Sequence, residues 1–291
     1  MGAFGGSCRS SMGAFDPKQP FNSPISLTKW SGVRIVFSRG RWSTTDNVQP
    51  TRQEEMRNYT PAEITDIANQ VCAAYIGENS LPMWYAAYQW QDEPVGPSWL
   101  ARQELQANLL ATGFALPELQ AIHRWGFNGA SCPAMNDPEI LASLQACLHT
   151  FRAGTRAQQE ASLTDFLAQQ RTANAGIGLA RVSKWICFVD QARFAILDSR
   201  VSRGLYPVSV APGHRAFPVL AGRAAGAADP IANWRPDRLA RTYLNYLDVM
   251  QQVAELQDGM QPAQVEMALF MIGQPALPRP LNPRLRRTMW C

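Results

Sequence analysis

The stretch of this 291-residue chain that most constrains its fold is Gly176-Ile177-Gly178, followed by a short apolar segment and then Ile196-Leu197-Asp198-Ser199-Arg200-Val201. A Gly-x-Gly turn between two helices lets the backbone approach another molecule closely and present N–H groups to a phosphate. Thr155 to Thr172 reads as a helix that enters the turn. Leu179 to about Asp190 reads as its partner, with Val182, Trp185, Ile186 and Val189 as the buried stripe. Ala180, Lys184 and Cys187 share the opposite face, spaced i, i+4, i+7. Asp198 comes after the apolar Phe194-Ala195-Ile196-Leu197 and at the start of another short helix, a natural place for an N-cap.

Around this centre the signals are helical. Thr60-Pro61-Ala62-Glu63 is a capping box with proline at the first helical position; Ile64, Ile67, Ala68 and Val71 form a stripe, and Gly77 is expected to close the helix. Trp99 to Gly113 carries Leu105, Leu109 and Leu110 on one face, and Asp137-Pro138 caps a helix with Ile140, Leu141, Leu144 and Leu148. Two closing helices are predicted over Asp237 to Leu256 and Pro262 to Ile272. Pro207 to Pro236 is rich in Gly, Pro and Ala and reads as a long loop. Residues 1–28 read as a flexible N-terminus. Ser31 to Ser43 alternates at Val33, Ile35 and Phe37, enough for one short strand. The expectation is an all-α bundle with a short N-terminal β element.

Composition excludes several classes. No run reaches the length of a membrane span, and Met1 to Phe15 lacks the apolar core of a signal peptide, so a cytoplasmic protein is expected. The six cysteines, at 8, 72, 132, 147, 187 and 291, have no C-x-x-C spacing, and His123, His149 and His214 are widely separated; neither a disulfide framework nor a metal site is indicated. Only three of the 27 basic residues are lysines: Lys18, Lys29 and Lys184. The remaining 24 arginines suit bidentate phosphate contacts, and equally reflect what a GC-rich genome encodes. The tail over residues 276–291 is basic, with Arg279, Arg284, Arg286 and Arg287.

The hairpin glycines and the downstream aspartate together resemble the helix-hairpin-helix DNA glycosylases. That family's motif is Gly-apolar-Gly, a helix, and then an aspartate among apolar and polar residues. Ala180, two residues past the second glycine, stands eighteen residues before Asp198, the family's spacing between its lysine position and its catalytic aspartate. The helix Val265-Glu266-Met267-Ala268-Leu269-Phe270-Met271-Ile272-Gly273 is similar to the final core helix of small bacterial proteins with an 8-oxoguanine-glycosylase fold. The resemblance covers roughly residues 155 to 275, and it implies a glycosylase-like helical domain over 29–275 with the hairpin and catalytic segment at 155–206. The four-cysteine loop that holds iron and sulfur in some members is absent, so no cofactor is expected.

What the resemblance implies for the residues is specific. Asp198 would stabilise positive charge on the deoxyribose or position water, with its second oxygen facing the DNA; the plainer alternative is a structural cap. The amine that forms a Schiff base in bifunctional members is replaced by Ala180, which points to a monofunctional enzyme. Lys184 lies one turn further along, about 6 Å away. It is a candidate for a phosphate contact, for an ion pair with Asp198, or for the nucleophile itself. Gly176, Gly178, Arg181, Ser183, Arg200 and Arg203 are candidate DNA contacts, the two last equally a solvated face. Trp84, Tyr88, Trp90 and Trp99, from a segment dense in aromatics, are candidate walls for a flipped-out base or else core. The partner is expected to be double-stranded DNA carrying a modified base, with no membrane and no obligate protein partner. Some stand-alone bacterial relatives act against phages with modified DNA, which makes glucosylated hydroxymethylcytosine a candidate substrate. A repair enzyme with Lys184 lyase activity and a non-catalytic DNA-binding module remain alternatives.

Overall fold

Local chemistry sets where the helices start. In the computed structural model, residues 57–88, 99–211, 214–220, 231, 233–257 and 259–274 are described. All of them fall in the second of two units, Met1–Gln53 and Glu54–Cys291. Helix α1 (Pro61–Ala74) opens on the expected capping box, with Glu63 N–H donating to the Thr60 hydroxyl at 3.3 Å and Thr60 N–H donating to the Glu63 carboxylate at 2.9 Å. It ends three residues before Gly77, whose φ of +60° instead opens a 3-10 turn over Gly77–Asn79. Helices α2 (Leu81–Ala86) and α3 (Trp99–Ala111) follow. Helix α4 (Leu116–Gly126) is one the sequence reading did not single out, though it has Pro117 in its first turn and buries Leu119, Ile122, His123 and Gly126.

Helix α5 (Pro138–Ala153) starts at Asp137, whose carboxylate accepts from Glu139 and Ile140 N–H. Helix α6 (Arg156–Thr172) has a second capping box, Thr155 with Gln158. It leads through a turn, in which Asn174 and Gly176 take φ of +49° and +67°, into α7 (Leu179–Val189). Only Gly176 of the two hairpin glycines needs its freedom: Gly178 has φ of −96° and open space where a Cβ would stand. Helix α8 (Ser199–Gly204) comes next, then α9 (Pro236–Leu256) and α10 (Pro262–Ile272), both within a residue of expectation.

The described residues form an all-α bundle with one small β element, β1 (Ser209–Ala211) paired antiparallel with β2 (His214–Arg215). That hairpin lies inside the segment 207–236 expected to be loop. The N-terminal strand, the flexible N-terminus and the basic tail fall outside the described residues. No described helix is long and apolar enough to cross a membrane.

Helix α7 is central. It packs on α3, α4, α5 and α9, and every residue from Val182 to Val189 is buried. The face with Lys184 and Cys187 is therefore as enclosed as the predicted stripe. What covers it is the chain itself. Phe194 to Leu197 runs back buried between α7 and α9; side chains bond its carbonyls and the Leu197 N–H, and the Phe194 N–H donates to the Asp190 carbonyl at 2.8 Å. Cys187 Sγ donates to the Phe194 carbonyl at 3.4 Å, Tyr243 Oη to that of Ala195 at 3.0 Å, and Tyr246 Oη to that of Ile196 at 2.7 Å. Leu197 N–H donates to Ser183 Oγ at 3.2 Å. Burial holds both tyrosine hydroxyls protonated, well above their usual range.

Tyr246→Phe removes the donor and leaves the Ile196 carbonyl buried. Urea unfolding should show a loss of about 1–3 kcal/mol. A loss below about 0.5 kcal/mol would mean that this hydroxyl is not what satisfies the carbonyl.

Candidate active site

The buried run ends at Asp198, and its last residue is placed from three sides. The carboxylate caps α8, with Oδ1 accepting from Arg200 N–H at 2.9 Å and Val201 N–H at 3.1 Å. Oδ2 accepts from Lys184 Nζ at 3.3 Å. The two side chains are 17% and 7% exposed, so this ion pair sits at the edge of the interior, not on an open surface. Burial pushes the Asp198 carboxyl up; the Lys184 charge and the Val201 and Arg200 amides outweigh it and leave the group below the usual carboxylate range. The sequence reading had the second oxygen facing DNA. The structure gives that oxygen to Lys184.

The third side is the crossing of α8 and α10. A Cβ on Gly204 would lie 2.6 Å from the Leu269 carbonyl oxygen, and one on Gly273 would overlap that of Arg200. Backbone meets backbone here, and any side chain at either position would drive α8 and its capping aspartate away from α10.

Around Lys184 the charges are arranged in a shell. Its ammonium lies 5.3 Å from the centre of the Phe127 ring, and the Arg181 guanidinium lies 5.4 Å from the same ring. Arg181 is tied back to the hairpin, donating to the Gly176 carbonyl at 2.9 Å. His123 stacks on Phe127 at 4.5 Å and bonds the Ala130 carbonyl through Nδ1 at 2.9 Å. Burial, reinforced by Arg181, Lys184 and Arg124, lowers its tendency to protonate.

A second ion pair lies deeper. Arg102 Nη2 donates to Glu266 Oε2 at 2.9 Å, with side chains 0% and 3% exposed. Its Nε donates to Gln191 Oε1 at 3.0 Å, and its guanidinium packs against Trp125 and Phe188. Burial pushes the Glu266 carboxyl up and Arg102 opposes this; Asp198 raises it further and Lys184 lowers it, so the two pairs feel each other's charge. Sequence reasoning missed Arg102 and Gln191. The available signal was Glu266 itself, a charge inside the apolar run Val265 to Ile272.

The other expected site residues divide. Gly176, Gly178 and Arg203 are exposed, and Arg200 is half-buried with its guanidinium 4.7 Å from the Phe270 ring. Ser183 is fully buried and bonded to Leu197, so it offers no surface to a phosphate. Tyr88 is 2% exposed and packs on Phe270, a core position rather than a pocket wall. Trp84 is half-buried against the core. Trp90 lies outside the described residues, as does the side chain of Trp99.

Residues 67–270, from within α1 to near the end of α10, match the model of the family described as "Putative 8-oxoguanine DNA glycosylase OGG-like protein". The match spans well over half of the chain, which therefore belongs to this OGG-like family of DNA-glycosylase type. No curated protein and no solved structure matches it. Both ion pairs and the hairpin lie inside the matched region.

The depressed carboxyl makes a linkage prediction. Asp198 contributes stability above its unfolded-state value, and the contribution is lost as pH falls through the lower folded value. Asp198→Asn should therefore be less stable than wild type at pH 7, since Lys184 is left buried without its counter-charge. The gap should narrow as the pH is taken below the usual carboxylate range. A gap independent of pH in urea titrations would mean that the pair contributes no charge-dependent stability.

Proposed function

We propose that the chain is a monofunctional DNA glycosylase that hydrolyses the bond between a modified base and deoxyribose in double-stranded DNA. The observation that carries this is the Lys184–Asp198 pair at 3.3 Å, just beyond a hairpin with a left-handed glycine, in a chain of this family. We assign the activity to the helical domain over 29–275, with residues 155–206 supplying the hairpin and the carboxylate.

In the proposed step the base leaves with the bonding electron pair and positive charge builds on the sugar carbon. Asp198, held ionised by the α8 amides and Lys184, stabilises that charge and takes a proton from the water whose oxygen closes on the carbon; the departing base takes up a proton, Asp198 releases its own, and the carboxylate is restored. The products are the free base and an abasic strand. No cofactor is needed. Backbone N–H groups at the start of α7 and the side chains of Arg200 and Arg203 are the proposed phosphate contacts, and Arg181 acts by bracing the hairpin. Lys184, paired with a carboxylate, acts through its charge.

The family's printed name brings 8-oxoguanine to this chain as one candidate base; glucosylated hydroxymethylcytosine, as in modified phage DNA, is the one we favour. Duplexes carrying each, and unmodified controls, should be incubated with the protein and assayed for released base. Asp198→Ala should lower release at least a hundredfold while DNA affinity changes little, because the carboxylate acts on transition-state charge. Full activity in this variant would remove Asp198 from the chemistry.

A second reading is favoured by the same 3.3 Å contact, which sets an amine beside the carboxylate: Lys184 as the nucleophile of a glycosylase and lyase. Lys184 is the only lysine after Lys29, so borohydride trapping separates the two cleanly. The monofunctional reading expects abasic strands that break only after alkali, and no trapped adduct. An adduct present in wild type and lost in Lys184→Ala would replace it with the second.

A further inference from the structure

Gly126 ends α4, is buried, and has an ordinary backbone without positive φ. No turn geometry calls for glycine there, and alanine is the better helix former. The need is spatial. A Cβ on Gly126 would stand 2.5 Å from Lys184 Cδ, 3.0 Å from Cε and 3.8 Å from Cγ, and these are the three atoms nearest to it. Ordinary contact begins near 3.4 Å. The lysine stem therefore crosses the end of α4 in a slot that exists because residue 126 has no side chain. The slot is closed on its far side: Lys184 is flanked by buried neighbours along α7, and Phe127, the next residue after Gly126, lies beside its ammonium.

We propose that Gly126 is a positioning residue: the bare backbone at the end of α4 seats the Lys184 stem and so fixes the reach of its ammonium to Asp198. This rests on the reading of Lys184 and Asp198 as the working pair. It adds α4 to the elements that build the site, and it makes the identity of residue 126 a determinant of turnover without any contact to DNA. A methyl group there forces the outer lysine stem to shift, and because Lys184 is enclosed that shift carries the ammonium away from the place where it meets both the Phe127 ring and Oδ2.

The test is a double-mutant cycle on the full chain with Gly126→Ala, Lys184→Ala and the two combined, read by urea unfolding, by DNA affinity and by single-turnover base release at saturating DNA. In the wild-type background Gly126→Ala should lower the unfolding midpoint and slow base release about tenfold or more, with DNA affinity within twofold. In the Lys184→Ala background the same change should raise the midpoint, since the clash is gone and alanine favours the helix, and should alter release less than twofold. If Gly126→Ala destabilises equally with and without Lys184, the glycine answers to something else and the proposal falls. Should Gly126→Ala alone fail to fold, a folded double variant supports the proposal and an unfolded one overturns it. A wild-type chain that releases no base would defeat the functional reading only, because the unfolding arm decides the seating of Lys184 independently.

Discussion

A buried stretch of extended backbone with no strand beside it is a problem of unpaired polar groups, and its solution organises this molecule. Phe194 to Leu197 must lie inside the bundle to deliver Asp198 to its edge, and each peptide group left unbonded there would be heavily penalised. The donors come from helices instead of a sheet. Cys187, Tyr243 and Tyr246 serve three successive carbonyls, and Ser183 takes the following N–H. This explains why α7 is polar on a buried face and why α9 places two tyrosines one turn apart in the interior. Fixing the peptide brings Asp198 to the edge of the bundle, where the α8 amides and Lys184 hold its carboxylate.

The charges follow the same economy. Lys184–Asp198 and Arg102–Glu266 are two pairs of opposite sign inside one small volume, each enclosed and each modulating the other. Enclosed pairs add little net stability over apolar packing, but breaking one leaves an uncompensated charge. Such an arrangement stores specificity. The inner pair, hydrogen-bonded onward to Gln191 and walled by Trp125 and Phe188, ties α3 to α10 and, through Arg102 and Cys187 Sγ, to α7. The outer pair then has a fixed background against which its potential is set.

Much of the helical frame was legible because it rests on local rules. The Thr60 capping box, the Asp137 cap and the apolar stripes of α1, α5 and α7 are written in short sequence intervals, and the bounds of α9 and α10 read within a residue. The β1–β2 hairpin was not, because two short strands in a segment rich in Gly and Pro carry too little alternation. Of the candidate site, the hairpin glycines and Asp198 stood out in the sequence through their spacing. Ser183 and Tyr88, candidates for a DNA contact and a pocket wall, are buried, and a polar or aromatic residue looks the same in sequence whether it meets a ligand or the core. Arg102 and Gly126 were invisible because their meaning lies in partners 164 and 58 residues away.

The close crossing of α8 and α10 has a consequence for how the molecule comes into being. Asp198 emerges from a ribosome well before Gly273, yet the helix it caps rests against backbone in and just after α10 through Gly204 and Gly273. A nascent chain that has made α1 to α9 owns every residue of the pair but not the surface against which the carboxylate's helix is set. The setting of the carboxylate is thus completed only when α10 is in place.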